Sequence, residues 1–299
     1  MNEVPNNAVT FEVESFIADV RLNRPDKYNA LNADLYRGLS SIIEELQTRE
    51  DVRVVVLSGN GGNFCAGADL EVISKLSGAK PSSKNKTEKE PSAQKTPKEL
   101  FPRSKSFPNK NQIMATAWHD LSVPVIAAIE GIAYGAGIQM ALGCDIRFAT
   151  PNAKLSIMET KWGLIPDVGI TQTTRHLLAR DVALKLCLTA EVISGTKAKE
   201  LGLVTELAEN PLQEAMALAK VIASKSPDAT SLTKALFNYS WEHSIDEGLR
   251  MEEELILTVG RQSNQLEAVK ANMQKREPNF KPRVVKDIST VGQLLKDNS

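Results

Sequence analysis

Cysteine is nearly missing from this chain. Cys65, Cys144 and Cys187 are the only three in 299 residues, and they are scattered and odd in number. They offer no disulfide framework and no CxxC pair, so a reducing, cytoplasmic setting is expected. Histidine is equally scarce: His119, His176 and His243 lack the spacing to carboxylates or cysteines that zinc or iron sites use, and no metal is expected. Charge of one sign is absent too. Thirty-six Lys and Arg face 37 Asp and Glu, which removes the electrostatic case for a nucleic-acid or acidic-membrane partner. The opening MNEVPNNAVT has no basic start followed by an apolar core, so no signal peptide is expected. The one long apolar run, VPVIAAIEGIAYGAGIQMALG (123–143), is interrupted by Pro124, Glu130 and Gln139 and begins like strand and turn. Membrane insertion is therefore not expected.

With 42% apolar and 24% charged residues, what remains is an ordinary globular composition, long enough for one large domain or a core with an appendage. Short strand-like runs alternate with helical periods through the first half. FIADVRL (16–22), RVVVLSG (53–59), VIAAIEG (125–131), DIRFAT (145–150) and KLSI (154–157) read as strands. Leu31, Leu35, Leu39, Ile42, Ile43 and Leu46 mark a helix with Asn32 as N-cap. Strands separated by helices imply a layered α/β core with crossover connections. The stretch from 77 to 100 is rich in Lys, Ser and Pro and poor in core formers, and is expected to be a disordered surface insertion. Beyond about residue 180 the pattern turns helical, with candidates at DVALKLCLTA, 212–223, LTKALFNYSWEHS and 245–260.

Three segments carry candidate chemistry. GNGGNFCAGADL (59–70) follows the RVVVLSG strand directly; it fails GxGxxG, because Phe64 holds the sixth position, and it has no GK[ST] of a P-loop. Its glycines let backbone approach a ligand closely, and Asp69 is placed to cap a following helix. GIAYGAGIQMALGCD (131–145) repeats the pattern after VIAAIE, with four glycines around one uncharged amide, Gln139. Two strand ends running into small residues can aim main-chain N–H groups at one carbonyl oxygen, the arrangement of an oxyanion hole. In LSIMETKWGLIPDVG (155–169), Glu159 sits among Ile157, Met158, Thr160 and Trp162. That apolar setting raises a carboxyl pKa toward general acid–base work, unless the residue is a strand-end carboxylate paired with an arginine. Asp167 is either turn chemistry or a second acid. Asp145 is expected to pair with Arg147 or a neighbour, and Cys65 to be a small apolar residue beside the bend.

Taken in order with NRPDKYNALN near the start and LTAEVISGTKAKELGLVTEL later, these segments resemble the crotonase superfamily of enoyl-CoA hydratases and isomerases, from residue 8 to about 280. The resemblance implies an α/β fold: a ββα spiral core over 1–195 and a C-terminal helical trimerisation region with its tail over 196–299, assembled as a homotrimer or dimer of trimers. It also implies an acyl-CoA thioester substrate, with coenzyme A as part of the substrate and no separate cofactor. The thioester oxygen is expected between the N–H groups of Ala68 and Ala136, the adenine end near Ala66 and Ala68, and the phosphates near Lys275, its own or that of a neighbouring subunit. Two departures bear on the reaction. Where hydratases carry a first glutamate in GGGxE, this chain has GAGIQ, so Gln139 replaces it, while the second glutamate is present as Glu159. Asp167 matches an aspartate of dienoyl-CoA isomerases, although those enzymes also carry an aspartate where Gln139 stands. An amide orients water but exchanges no proton at neutral pH, so a double-bond isomerase is expected over a 2-enoyl-CoA hydratase. A catalytically silent acyl-CoA-binding protein and a hydrolase or lyase on the same fold are the other readings.

Overall fold

The computed structural model describes residues 7–77 and 108–284. Apart from Ser77, the expected insertion lies outside the described residues.

Among the described residues nine strands form two sheets. Strands β1 (Val9–Glu14), β2 (Ile17–Leu22), β3 (Val54–Gly59), β4 (Val125–Ile129), β6 (Ile146–Ala149) and β9 (Glu206–Leu207) form the larger sheet, ordered β1-β2-β3-β4-β6-β9. Strands β5 (Ile132–Tyr134), β7 (Lys154–Ser156) and β8 (Ile193–Ser194) form the smaller one, ordered β5-β7-β8. β1 and β2 are an antiparallel hairpin whose turn residues, Ser15 and Phe16, both have positive φ (51° and 67°), as a two-residue hairpin turn matched to strand twist requires. The other pairings of the large sheet are parallel. From β4 onward the chain gives one strand to the large sheet and the next to the small one, then repeats with β6 and β7. This two-sheet winding is the expected spiral.

The helices are α1 (Ala33–Thr48), α2 (Leu70–Ser77), α3 (Ile113–Asp120), α4 (Ala136–Leu142), α5 (Ile170–Thr173), α6 (Arg180–Thr189), α7 (Gly195–Leu201), α8 (Pro211–Ala223), α9 (Pro227–Ser240), α10 (Ile245–Val259) and α11 (Ser263–Met273). The Asn32 side chain accepts the Leu35 N–H and caps α1, as the sequence predicts. Alternate residues of a parallel strand face opposite layers, so both faces must be covered. On β3, Val55 and Leu57 enter the inner core with α1 residues Leu35, Leu39 and Ile42. Val54 and Val56 point the other way, onto Ala215, Ala219 and Ala223 of α8. The four-residue spacing puts those alanines on one helix stripe, and their small size lets α8 lie close to the sheet. Residue 195 opens α7, yet β9 and α8 beyond it still supply a strand and an outer layer to the core.

Asp145 does not pair with Arg147. Its Oδ2 accepts the Val125 N–H at 2.7 Å and lies 2.8 Å from the Lys234 ammonium, which also donates to the Trp118 and Val123 carbonyls. Arg147 is buried and turns instead to the Leu203 and Cys144 carbonyls. Sequence neighbours two apart on a strand share a face, but here the long Lys234 side chain from α9 reaches Asp145 first. The pair ties the helical region to the start of β4.

Candidate active site

The first bend connects β3 to α2. Its frame is Asn29, fully buried at positive φ, whose Nδ2 donates to the Asn60 carbonyl at 3.0 Å and the Asn63 carbonyl at 2.7 Å. Arg24 donates to the Ala30 carbonyl and forms a 3.1 Å ion pair with Asp69. Asp69 Oδ1 accepts the Glu71 N–H and caps α2. The second bend connects β5 to α4. The two bends are stitched together by Cys65 N–H to the Ile132 carbonyl at 3.0 Å and Tyr134 N–H to the Cys65 carbonyl at 2.9 Å.

This contact explains the glycines better than ligand access alone. A Cβ on Gly67, whose φ is +83°, would stand 2.6 Å from the Tyr134 carbonyl oxygen and 3.5 Å from the Ala136 nitrogen. A Cβ on Gly137 would overlap the Cys65 carbonyl, and one on Gly135 would sit 3.3 Å from Glu159 Oε1. Glycine at 67 and 137 is thus demanded by the mutual approach of the two bends. Gly67→Ala is expected to lower stability by about 1–3 kcal/mol, because it combines left-handed backbone with that clash. Urea denaturation measures it, and an unchanged midpoint would mean the bends part readily.

Ala68 lies on the first bend and Ala136 on the second. The Leu31 N–H bonds the Gly67 carbonyl and the Asp69 N–H bonds the Leu31 carbonyl, so Ala68 turns its own N–H away from that partner. Ala136 is the first residue of α4, where a helical N–H has no acceptor within the helix. Among the described residues neither amide donates to the chain. Ala66, half-buried, gives its N–H to the Tyr28 carbonyl at 2.9 Å.

Glu159 opens a short 3₁₀ turn, Glu159–Trp162, that ends at Gly163 in left-handed conformation. The Thr160 hydroxyl anchors this turn to α6 through the Cys187 carbonyl at 2.7 Å. Among the described residues no arginine pairs with Glu159. Its Oε1 accepts from Gln139 Nε2 at 2.6 Å, and its Oε2 is buried with no hydrogen-bond partner among those residues. Gln139 itself is fully buried, and its Oε1 accepts the Val168 N–H at 3.0 Å, which fixes which way the amide points. Burial pushes the Glu159 carboxyl above its ordinary range. The backbone amides and Gln139 oppose that rise, and the charge of Asp167 adds to it. One ionisable carboxyl group therefore stands beside the junction with one oxygen engaged and one free.

Asp167 is exposed and accepts from Asn111 Nδ2 at 3.4 Å. Tyr36 on α1 is partly buried, its phenol pushed up to about 12 by that burial first and by the charges of Asp167 and Cys65 after it. Burial also pushes the Cys65 thiol up to about 12, in keeping with a packing role. Lys275 is exposed at the end of α11 in left-handed conformation and has no contact with the Gln139–Glu159 pair. Sequence inspection misses Val168 and Asn29. A main-chain donor leaves no side-chain signature, and Asn29 is one of several asparagines in the chain. Among the described residues no group of three His, Cys, Asp or Glu stands where it could hold a metal ion, and no described helix is long and apolar enough to cross a membrane.

Comparison with known proteins gives consistent matches. The family model described as enoyl-CoA hydratase/isomerase matches residues 12–283. A peroxisomal Delta(3,5)-Delta(2,4)-dienoyl-CoA isomerase of Arabidopsis thaliana is 32% identical over 270 residues, covering 89% of this chain and 93% of that protein. A probable enoyl-CoA hydratase of Bacillus subtilis is 32% identical, covering 92% and 99%. Among solved structures, an enoyl-CoA hydratase from Bacillus anthracis superposes with a TM-score of 0.75 at 29% identity, over 92% of this chain and 99% of that one.

Proposed function

Since this chain belongs to the enoyl-CoA hydratase/isomerase family, we propose that it moves the double bond of an enoyl-CoA thioester, with Glu159 as the proton carrier. The observation that carries this reading is the 2.6 Å bond from the Gln139 amide to Glu159 Oε1, with Oε2 left free. Hydration is easier with a second group that exchanges a proton with water. Here that place is held by an amide, which exchanges none at neutral pH.

The thioester oxygen sits between the N–H groups of Ala68 and Ala136, both without an acceptor among the described residues. Negative charge that develops on it during enolate formation meets two fixed donors. Glu159 Oε2 removes a proton from C2 of a 3-enoyl ester, the electron pair spreads from C2 onto the thioester oxygen and over the C3–C4 double bond, and the same proton returns at C4. The double bond then lies between C2 and C3, and the carboxylate is regenerated. The raised carboxyl pKa brings Glu159 closer to that of a useful acid in the return step. With a dienoyl ester Asp167 serves as the second acid, a role supported by its charge being felt at Glu159.

Ala66 and Ala68 receive the adenine end, and Lys275 of a neighbouring subunit receives the phosphates. Assembly as a homotrimer or dimer of trimers belongs to the same proposal; Phe237, Trp241, Ile245 and Leu249 along α9 and α10 are all more than half exposed, an apolar face that assembly would cover. The three unpaired cysteines support a cytoplasmic setting within fatty acyl metabolism.

Turnover on matched 2-enoyl-, 3-enoyl- and 3,5-dienoyl-CoA esters tests the reading. Isomerisation of the 3-enoyl or dienoyl ester is expected to exceed hydration of the 2-enoyl ester by about a hundredfold or more. Faster hydration would return the protein to the hydratases, and tight binding without turnover would make it a silent acyl-CoA-binding protein.

A further inference from the structure

Beyond the Gln139–Glu159 pair lies a cavity of about 210 Å³ between the first turn of α3 and the Pro166–Gln172 turn. That is several times the ~30 Å³ that a water molecule occupies in the liquid. Gln112, Thr116, Asp167, Ile170 and Thr171 line it. It is linked to the pair through the backbone: Gln139 holds the Val168 N–H, and the residues on either side of Val168, Asp167 and Gly169, both form its wall.

Among the described residues the wall carries one full charge, Asp167, and no Lys, Arg or His. Asp167 makes no salt bridge among the described residues, and its side-chain partner there is the neutral amide of Asn111, at 3.4 Å. We propose that Asp167 is a specificity-determining residue: the cavity takes the far end of the acyl group, admitting uncharged ends and rejecting those that finish in a carboxylate. The proposal rests on the acyl-CoA reading above and adds the charge class of the substrate. Discrimination of this kind comes from repulsion, because a second carboxylate brought beside an unpaired one finds no counter-charge. The Asp167 charge is felt at both Glu159 and Tyr36, so this wall shares the electrostatic surroundings of the Gln139–Glu159 pair.

Equilibrium binding of two saturated acyl-CoA esters of equal length, one ending in a methyl group and one in a carboxylate, separates this from catalysis, since neither is turned over. The parent protein is expected to bind the methyl-ended ester about tenfold or more tightly. Asp167→Asn is expected to narrow that gap by about tenfold, through tighter binding of the carboxylate ester alone. Thr171→Lys, which adds a cation to the same wall, is expected to narrow it as well. Equal affinities in the parent, or a gap that both variants leave in place, would overturn the assignment of Asp167 while leaving the acyl-CoA reading intact. Failure of the parent to bind either ester would overturn both.

Discussion

Replacing Glu159 by glutamine is expected to lower turnover on every enoyl-CoA ester the protein accepts by about a hundredfold to ten-thousandfold, the usual contribution of one positioned acid–base group. The substitution is close to isosteric, and the new side chain keeps a carbonyl oxygen to accept from Gln139 Nε2, now 2.6 Å from Oε1. The 3₁₀ turn keeps its anchor from Thr160 to the Cys187 carbonyl. Binding of the saturated ester should therefore survive, so that kcat falls with little change in affinity. Full turnover by this variant on all esters would remove Glu159 from the reaction.

The same variant has a stability signature with a defined sign. Burial raises the Glu159 carboxyl above its ordinary value, so the folded protein holds that proton more tightly than the unfolded chain does. The favourable contribution of this group is then complete at pH below the unfolded carboxyl's range, and it is lost as pH rises through the folded pKa. Glu159→Gln removes a half-buried carboxyl whose charged form burial disfavours. The variant is expected to resist urea better than the parent at pH 7.5, with the difference shrinking toward pH 4. A variant that is inactive but less stable at neutral pH would mean that some favourable contact of the carboxylate had been lost instead. Gain of stability with loss of turnover is the pattern expected of a charge kept in place for chemistry.

Much of this site is legible in the sequence, and the parts that are not share a physical reason. Strand and helix positions follow from apolar periodicity, as for β3 and α1, because burial on defined faces sets which residues must be apolar. The apolar run around Glu159 points to a raised pKa without any coordinates, since its neighbours along the chain supply part of its burial. What sequence cannot supply is partnership at a distance. The alternative of an arginine beside Glu159 stays open until Gln139, twenty residues away, is seen to occupy Oε1. Asp145 has Arg147 two residues along the chain and Lys234 on a remote helix, and the remote partner is the one in contact. The glycines of the two bends are suggestive from composition, yet the reason for Gly67 and Gly137 is another strand's carbonyl, a contact that only the fold creates. The β5 strand and the α4 helix hide within one apolar run, because glycine and alanine there obscure both periods.

Gln139→Glu is the complementary change, and its effect follows from the 2.6 Å separation. Two carboxyl groups so close cannot both ionise, so they share one proton and titrate as a pair with one pKa strongly raised. While the pair holds that proton, the carboxyl at position 139 donates to Glu159 much as the amide does, and its other oxygen still accepts the Val168 N–H. Isomerisation should then persist within about tenfold of the parent at pH values below the upper titration. The difference is that this donor, unlike an amide, exchanges its proton with water. Hydration of 2-enoyl-CoA esters is expected to rise by up to about a hundredfold, the lower end of what a missing acid–base group contributes. Position 139 is fully buried, so a second charge there is strongly disfavoured. Its pKa is raised on folding, and its contribution to stability is lost as pH rises through that value. The gain in hydration and the stability of the variant should therefore fall together at alkaline pH. Rate–pH profiles for both reactions, measured beside urea midpoints, check this coupling. Isomerisation that persists with no gain in hydration at any pH would show that no water is seated within reach of the pair, and that the pocket differs from a hydratase in more than this one residue.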